Sequence, residues 1–239
     1  MTMNITNIIK RDGFYVSEDI ISEKDLEKLK NFLNNKLIEF PNRNFRLYED
    51  SLKNSIITDT KFEEKINNLI NKVLKENDVS SFNRPNYKVL RIVSGKKQKK
   101  QAYLYHFDAH LITILIPILI PNNKNNLNGD LVLFPNLRKL HKNILLNIIQ
   151  KIFFQNILIR RLLSTYFFKK LFNYKFLKIK PGNLYMFFGF NSLHGNLEIE
   201  ESSTRATLLI HAYDVFEKSK IVKINRDKSI KKEIKNIKA

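Results

Sequence analysis

Residues 105–120 read YHFDAHLITILIPILI and join a polar hexamer to the most apolar run of the chain. The apolar part, Leu111–Pro121, has eleven residues and two prolines, whereas a membrane-spanning helix needs roughly twenty apolar residues. It is therefore predicted to be a buried strand. The hexamer that leads into it carries His106, Asp108 and His110, which are all able to bind a metal ion.

His106 and Asp108 are predicted to be two ligands of one metal ion. On a strand, residues i and i+2 point to the same face, so a His-x-Asp step places an imidazole beside a carboxylate while Phe107 points away. His194 follows Asp108 by 86 residues and supplies a second imidazole. Such a ligand set suits ferrous iron and leaves positions open for a bidentate 2-oxo acid and for dioxygen.

The context of His194 supports this interpretation. Residues 178–195 read KIKPGNLYMFFGFNSLHG. The Pro-Gly-Asn at 181–183 predicts a turn, the apolar run after it predicts a buried strand, and the Gly-Phe-Asn-Ser at 189–192 ends that strand just before the histidine.

Arg205, eleven residues after His194, is the candidate anchor for a keto acid. A guanidinium pairs with a carboxylate through two parallel hydrogen bonds, so Arg205 is predicted to hold the distal carboxylate of 2-oxoglutarate. Thr207 shares the strand face of Arg205 and is expected to add a hydroxyl. Tyr105 is a candidate to bind the keto acid or to orient a ligand, with simple packing as its alternative.

These segments resemble, in order and across most of the chain, the phytanoyl-CoA dioxygenase branch of the Fe(II)/2-oxoglutarate-dependent oxygenases. The matching segments are 11–16, 106–108, 128–135, 181–195 and Arg205. Two features depart from the family. Asn136-Leu137-Arg138 replaces the Gly-Ser-His that often follows the central proline, and a long basic, aromatic segment separates the two halves of the barrel.

The resemblance implies a double-stranded β-helix, a jelly-roll or cupin-like barrel, with Fe²⁺ at His106, Asp108 and His194. It also implies 2-oxoglutarate at Arg205, and O2 as the oxidant. The expected activity is that of a dioxygenase that hydroxylates a C–H bond of a small metabolite or acyl substrate, with release of succinate and CO2. The basic segment prevents the family's substrate contacts from being carried over, so the substrate stays open.

The fold class expected from the whole chain is mainly β with α. A short strand at 13–16 and two helices, one capped by Ser22 and one over Lys61–Lys75, precede a change to strand periodicity at Tyr87. Residues 102–106 are expected to run as a strand toward the metal. The predicted organisation is one domain over 1–216, with helical support at 1–80, barrel strands at 87–135 and 177–214, a basic helical insertion at 140–176 and a basic tail at 217–239.

Composition limits the remaining possibilities. The chain has no cysteine, which excludes disulfides, thiolate zinc sites and a cysteine nucleophile. Its N-terminus lacks the order of a secretory signal, so the expected location is cytoplasmic. The net charge of +19 includes only ten arginines among 42 basic residues. That bias is typical of AT-rich coding sequences, so no clear nucleic-acid partner is predicted.

Two alternatives remain open at the level of sequence. If His110 joins the ligands, a zinc-binding or non-catalytic barrel that binds a sugar or small metabolite is favoured; the expectation is that His110 lies in the pocket wall instead. The insertion at 140–176 packs on its own domain, covers the pocket, or contacts a membrane surface or phosphate groups, the last as part of a basic nucleic-acid or anionic-lipid binding module. The sequence makes no prediction of oligomeric state.

Overall fold

A computed structural model describes residues 4–53, 55–79, 86–94, 102–122, 127–163 and 165–220, together with residues 222, 224, 227, 228 and 231. Most of the predicted tail at 217–239 and all of the lysine-rich segment 95–101 lie outside the described residues. The helices and strands are α1 (Ile5–Asp12), β1 (Tyr15–Ser17), α2 (Glu23–Glu39), β2 (Phe45–Tyr48), α3 (Thr60–Glu76), β3 (Tyr87–Ser94), β4 (His110–Leu119), β5 (Leu131–Phe134), α4 (Ile144–Gln155), α5 (Ile157–Leu163), α6 (Tyr166–Leu171), β6 (Lys175–Leu177), β7 (Leu184–Phe187), β8 (Leu193–Asn196) and β9 (Thr204–Asp214).

The strands form two antiparallel sheets. The larger sheet has six strands in the order β1-β7-β4-β9-β3-β2, and the smaller has three in the order β6-β5-β8. β9 lies between β3 and β4 and pairs with both over most of its length. The mixed α/β class with antiparallel strands agrees with the expected fold class.

The two faces of the larger sheet bury different partners. Alternate β9 residues such as Leu208 and Ile210 pack, together with Ile114 of β4, into a core shared with α1, α2 and α3. On the opposite face, Leu115 and Leu209 pack with residues of the smaller sheet. This alternation follows from the two-residue period of a strand, and it gives three layers: helices, larger sheet and smaller sheet.

The two predicted N-terminal helices are confirmed. Ser22 caps α2 by accepting a hydrogen bond from the backbone N–H of Asp25 at 3.2 Å. Asp59 caps α3 by accepting from the N–H groups of Lys61 and Phe62 at 3.0 and 3.3 Å. Their apolar stripes face the sheet, so both helices support the strands that carry the site.

The expectation of a strand over 102–106 is wrong. Residues 102 and 103 form a turn in which Tyr103 has a φ of 55°. His106 makes one isolated bridge to His194, which belongs to the smaller sheet, whereas β4 begins at His110 in the larger sheet. The chain crosses between the two sheets at this point, so His106 and Asp108 precede the strand instead of lying on it.

The predicted insertion at 140–176 contains three helices, α4, α5 and α6, and its last two residues belong to β6. Most of the large apolar side chains of these three helices are exposed. None of the helices in the described ranges combines the length and the apolar character needed to span a bilayer.

We expect Asp59→Ala to lower the free energy of unfolding by about 1–2 kcal/mol, because two N–H groups at the start of α3 lose their acceptor. Urea denaturation followed by circular dichroism measures this change. Glu64→Ala, which removes an exposed carboxylate from the same helix, is the matched control. Equal effects of the two substitutions would contradict the capping role.

Candidate metal centre

The structure brings His106, Asp108 and His194 together. The two histidines exchange reciprocal backbone hydrogen bonds of 3.0 Å, which hold their ring centroids 4.4 Å apart. The Asp108 carboxylate lies beside both rings, with Oδ1 3.7 Å from Nε2 of His106 and Oδ2 3.3 Å from Nε2 of His194. One ligand atom from each residue lies within 4.8 Å of the others, which is close enough for all three to hold one metal ion.

Backbone carbonyls orient both imidazoles. Nδ1 of His106 lies 2.8 Å from the carbonyl oxygen of Leu104, and Nδ1 of His194 lies 3.0 Å from that of Ser192. A carbonyl only accepts hydrogen bonds, so each Nδ1 carries the proton and each Nε2 keeps its lone pair. Both rings therefore present the tautomer that binds a metal through Nε2.

Asp108 is fixed from several sides. Its backbone N–H donates to the carbonyl of Gly189 at 3.0 Å, and the hydroxyl of Thr113 donates to Oδ2 at 2.5 Å. The same hydroxyl lies 3.2 Å from Nδ1 of His211. A Cβ at position 189 would lie 2.1 Å from the Thr113 hydroxyl and 2.6 Å from Oδ2 of Asp108, so glycine is required there. The local sequence around Gly189 gives one signal only, the break that follows the buried strand, and that signal does not indicate a contact with Asp108.

Burial and local charge set the protonation states. Burial lowers the pKa of His106 to about 4, and the neighbouring His194 acts in the same direction. Burial by itself raises the pKa of Asp108, but the surrounding imidazoles and the Thr113 hydroxyl together hold that pKa below its usual range. At neutral pH His106 is therefore neutral and Asp108 is ionised, which are the states that bind a divalent metal ion.

Arg138 connects this centre to the insertion. Its guanidinium is stacked between Phe107 and Phe190, at 4.2 and 3.8 Å from the ring centroids. Nε donates to the carbonyl of Phe190 at 2.5 Å, and Nη2 donates to that of Asp108 at 3.3 Å. Nη1 donates to the side chains of Asn147 and Gln150 of α4. Burial lowers the pKa of Arg138 to about 10, so it remains charged at neutral pH.

His110 and Tyr105 lie apart from the three ligands. Among the described residues, the grouped ligand atoms come from His106, Asp108 and His194 and do not include His110. The His110 ring instead stacks on Tyr87 at 6.1 Å and lies 5.2 Å from the ring of His211. Tyr105 is buried edge-to-face against Phe134. These contacts favour packing over the keto-acid role considered for Tyr105.

Arg205 and Thr207 lie buried on β9 with unsatisfied polar atoms. Nη1 of Arg205 donates to the carbonyl of Gly129 at 2.6 Å, and Nη2 donates to the side chain of Asn196 at 3.0 Å. Within the described residues, Nε of Arg205 and the hydroxyl of Thr207 have no hydrogen-bond partner. Burial, and then the nearby Arg91, lower the pKa of Arg205 to about 9. Two buried donors without an acceptor fit a bound carboxylate.

A cavity of about 520 Å³ opens at the metal centre. Arg205 is not among the residues that line it, although Asn196, which accepts from Arg205, is. Arg91 does line the cavity and lies opposite Thr207 in the pairing of β3 with β9. Among the described lining residues Asp108 is the only acid, whereas the cations are Arg46, Arg91 and Arg160. The cavity is therefore suited to anions.

The fold is similar to that of several solved enzyme structures. A prolyl-4-hydroxylase from Pseudomonas putida has a TM-score of 0.57 at 9% identity, over 87% of this chain and 95% of that one. A prolyl hydroxylase from Trichoplax adhaerens, solved with a peptide of a hypoxia-inducible factor, has a TM-score of 0.57 at 12% identity, over 88% of each chain.

The α-ketoglutarate-dependent epimerase SnoN of nogalamycin biosynthesis is also similar, with a TM-score of 0.50 at 10% identity, over 86% of this chain and 79% of that one. No protein-family model and no curated protein sequence matches this chain. The similarity therefore establishes the fold that these enzymes share. The phytanoyl-CoA dioxygenase branch remains a prediction.

We expect Gly189→Ala to weaken metal binding by about 10- to 100-fold, because the added methyl group displaces Asp108 or Thr113. Titration with Co²⁺, followed by its visible absorption, measures the affinity. Gly13→Ala is the steric control, since its Cβ would lie 2.6 Å from Cβ of Pro135 instead of touching a ligand. An unchanged Co²⁺ affinity in folded Gly189→Ala protein would show that Asp108 is not a ligand in this position.

Arg138→Met is expected to lower the free energy of unfolding by about 2–4 kcal/mol, because several buried acceptors lose their donor. It is also expected to weaken Co²⁺ binding, since the Asp108 carbonyl loses its contact. Thermal denaturation and Co²⁺ titration measure the two effects. Arg161→Met, which alters an exposed arginine, serves as the control. A variant with unaltered stability and unaltered metal affinity would show that Arg138 does not stabilise the metal centre.

Proposed function

We propose that this protein is an Fe(II)- and 2-oxoglutarate-dependent oxygenase built on a double-stranded β-helix. The observation that carries the proposal is the set of His106, Asp108 and His194, in which each Nδ1 is committed to a backbone carbonyl and each Nε2 is left for a metal. Two imidazoles and a carboxylate on one side of the ion are typical of non-haem iron oxygenases.

The sheet topology supports the β-helix assignment. The bridge between His106 and His194 adds residue 106 to the free edge of β8, so the smaller sheet gains a fourth short segment. This sheet faces the larger one across Leu115 and Leu209. Two facing antiparallel sheets with the ligands at one open end are the arrangement expected of this barrel.

The keto acid is proposed to bind through Arg205 and Thr207. Their unpartnered Nε and hydroxyl group are donors that the distal carboxylate of 2-oxoglutarate would satisfy. Arg91 adds a second positive charge beside Thr207 and lines the metal cavity. A dianion is therefore favoured over a neutral ligand at this end of the cavity.

When bound, iron and 2-oxoglutarate supply the activation of O2 and the oxidative decarboxylation that yields succinate and CO2. The residues of this chain orient the ligands. The Thr113 hydroxyl donates to the Asp108 carboxylate, and the Gly189 carbonyl accepts from the Asp108 backbone N–H. The carbonyls of Leu104 and Ser192 fix the imidazole tautomers. The proposed outcome is hydroxylation of a C–H bond in a small metabolite or acyl substrate placed in the cavity.

The proposal predicts iron-dependent formation of succinate from 2-oxoglutarate by the purified protein. His106→Ala is expected to abolish it, because one ligand is lost. His141→Ala is the matched histidine control, since that ring packs on Phe190 away from the three ligands. Succinate formation that is equal in these two variants would contradict the proposed centre.

Arg205→Met tests the keto-acid site separately. It is expected to weaken 2-oxoglutarate binding to the Co²⁺-loaded protein by about 10- to 100-fold, because a charge-assisted pair is lost. Isothermal titration calorimetry measures the affinity, and Arg11→Met, at an exposed arginine, is the control. If Arg91→Met weakens binding and Arg205→Met does not, the carboxylate belongs to Arg91 and this part of the proposal is wrong.

A further inference from the structure

The insertion displays a concentrated apolar surface. Of the eighteen large apolar side chains that are exposed among the described residues, fourteen lie between residues 140 and 176. Scattered apolar side chains are normal on a soluble surface, but a contiguous apolar patch marks an interaction site. We call the exposed apolar side chains of α4, α5 and α6 the insertion face.

The orientation of α4 is the reverse of that of an ordinary surface helix. Its inward positions include Asn147 and Gln150, which accept hydrogen bonds from Arg138. Its outward positions include Leu145, Ile149 and Ile152, which are 73%, 62% and 68% exposed. A helix that packs on its own domain buries its apolar stripe and exposes its polar one. The insertion face is therefore not explained by packing within the chain.

Exposed cations accompany the insertion face without any acid. Between Asp130 and Glu198 the sequence contains eleven lysines and arginines and neither aspartate nor glutamate. Lys151 of α4, Arg161 of α5 and Lys170 of α6 are all exposed. Apolar side chains mixed with uncompensated cations are complementary to a surface that is apolar inside and anionic outside.

We propose that the insertion face docks on the surface of an anionic lipid bilayer. Apolar side chains of α4, α5 and α6 enter the boundary between headgroups and acyl chains, and the neighbouring lysines and arginines pair with lipid phosphates. The helices lie in the plane of the interface and do not cross it, in keeping with their short lengths of 12, 7 and 6 residues.

Charge and composition disfavour the other occupants. A second copy of the chain would bring two sets of cations together with no acid in the segment to neutralise them. Duplex DNA would neutralise the cations, but its bases are stacked inside the helix, so it offers mainly phosphates and sugars to side chains such as Phe167 and Leu171, which are 67% and 60% exposed. An anionic bilayer offers an apolar interior to the apolar side chains of the insertion face and phosphates to its cations.

The insertion face adjoins the metal cavity through Arg160. This residue of α5 lines the cavity, and its Nη1 donates to the carbonyl of Tyr103 at 3.4 Å. A docked protein would thus hold the cavity near the bilayer surface. The docking proposal does not depend on the oxygenase proposal, because lipid binding is measured without iron or 2-oxoglutarate.

Co-sedimentation with vesicles tests the proposal on the full-length protein. Binding is expected to phosphatidylcholine vesicles that contain phosphatidylglycerol, and to be at least about tenfold weaker to phosphatidylcholine alone or at high salt. Two triple variants remove one component each. The apolar triple replaces three exposed apolar side chains of α4, through Leu145→Ser, Ile149→Ser and Ile152→Ser. The charge triple neutralises three exposed cations, through Lys151→Gln, Arg161→Gln and Lys170→Gln. Each is expected to weaken binding about tenfold or more.

The controls alter equally exposed side chains elsewhere. Ile38→Ser removes an apolar side chain that is 79% exposed, and Lys24→Gln with Lys28→Gln and Lys61→Gln removes three exposed charges. Circular dichroism verifies that all variants fold. Absence of vesicle binding, or binding that the two insertion triples leave unchanged, overturns the proposal. Self-association lost in the apolar triple, or duplex DNA binding lost in the charge triple, without binding to vesicles, assigns the face to one of those occupants instead.

Discussion

The pair of backbone hydrogen bonds between His106 and His194 is the constraint on which the site depends. These residues are far apart in sequence, yet their N–H and carbonyl groups bond reciprocally at 3.0 Å. The bridge joins the crossing segment to the smaller sheet, places two imidazoles side by side and leaves Asp108 beside them. Because the backbone already orients the ligands, little conformational entropy is lost when a metal ion binds.

Arg138 is a buried cation whose contacts hold two parts of the molecule together. A buried guanidinium is stable only when its charge and donors are satisfied. Here two aromatic faces, backbone carbonyls and two amides of α4 satisfy it. The same contacts explain why α4 turns its polar side toward the domain. Arg138 therefore connects the metal centre with the insertion that carries the exposed apolar surface.

Two features of this protein depart from ordinary burial: polar residues buried in the larger sheet and apolar residues exposed in the insertion. The central strands of the larger sheet are apolar and buried on both faces, and Arg205 and Thr207 are polar residues of β9 that are buried there with unsatisfied atoms. In the insertion, apolar residues stay exposed although they are numerous. Each feature fits one of the proposed ligands. The unsatisfied donors of Arg205 and Thr207 fit a carboxylate, and the exposed apolar side chains of α4, α5 and α6 fit the surface of an anionic bilayer.

The sequence by itself determined the N-terminal helices, the long buried strand β4, the helical nature of the insertion and the candidates His106, Asp108, His194 and Arg205, because periodicity, caps and turn residues are local signals. Only the tertiary structure decided that His106 and Asp108 precede the strand, that Thr113 and Gly189 bond to Asp108, that Tyr105 packs against Phe134 and that α4 exposes most of its apolar side chains. These features depend on contacts between residues distant in sequence, and a local pattern carries no information about which distant backbone group will meet it.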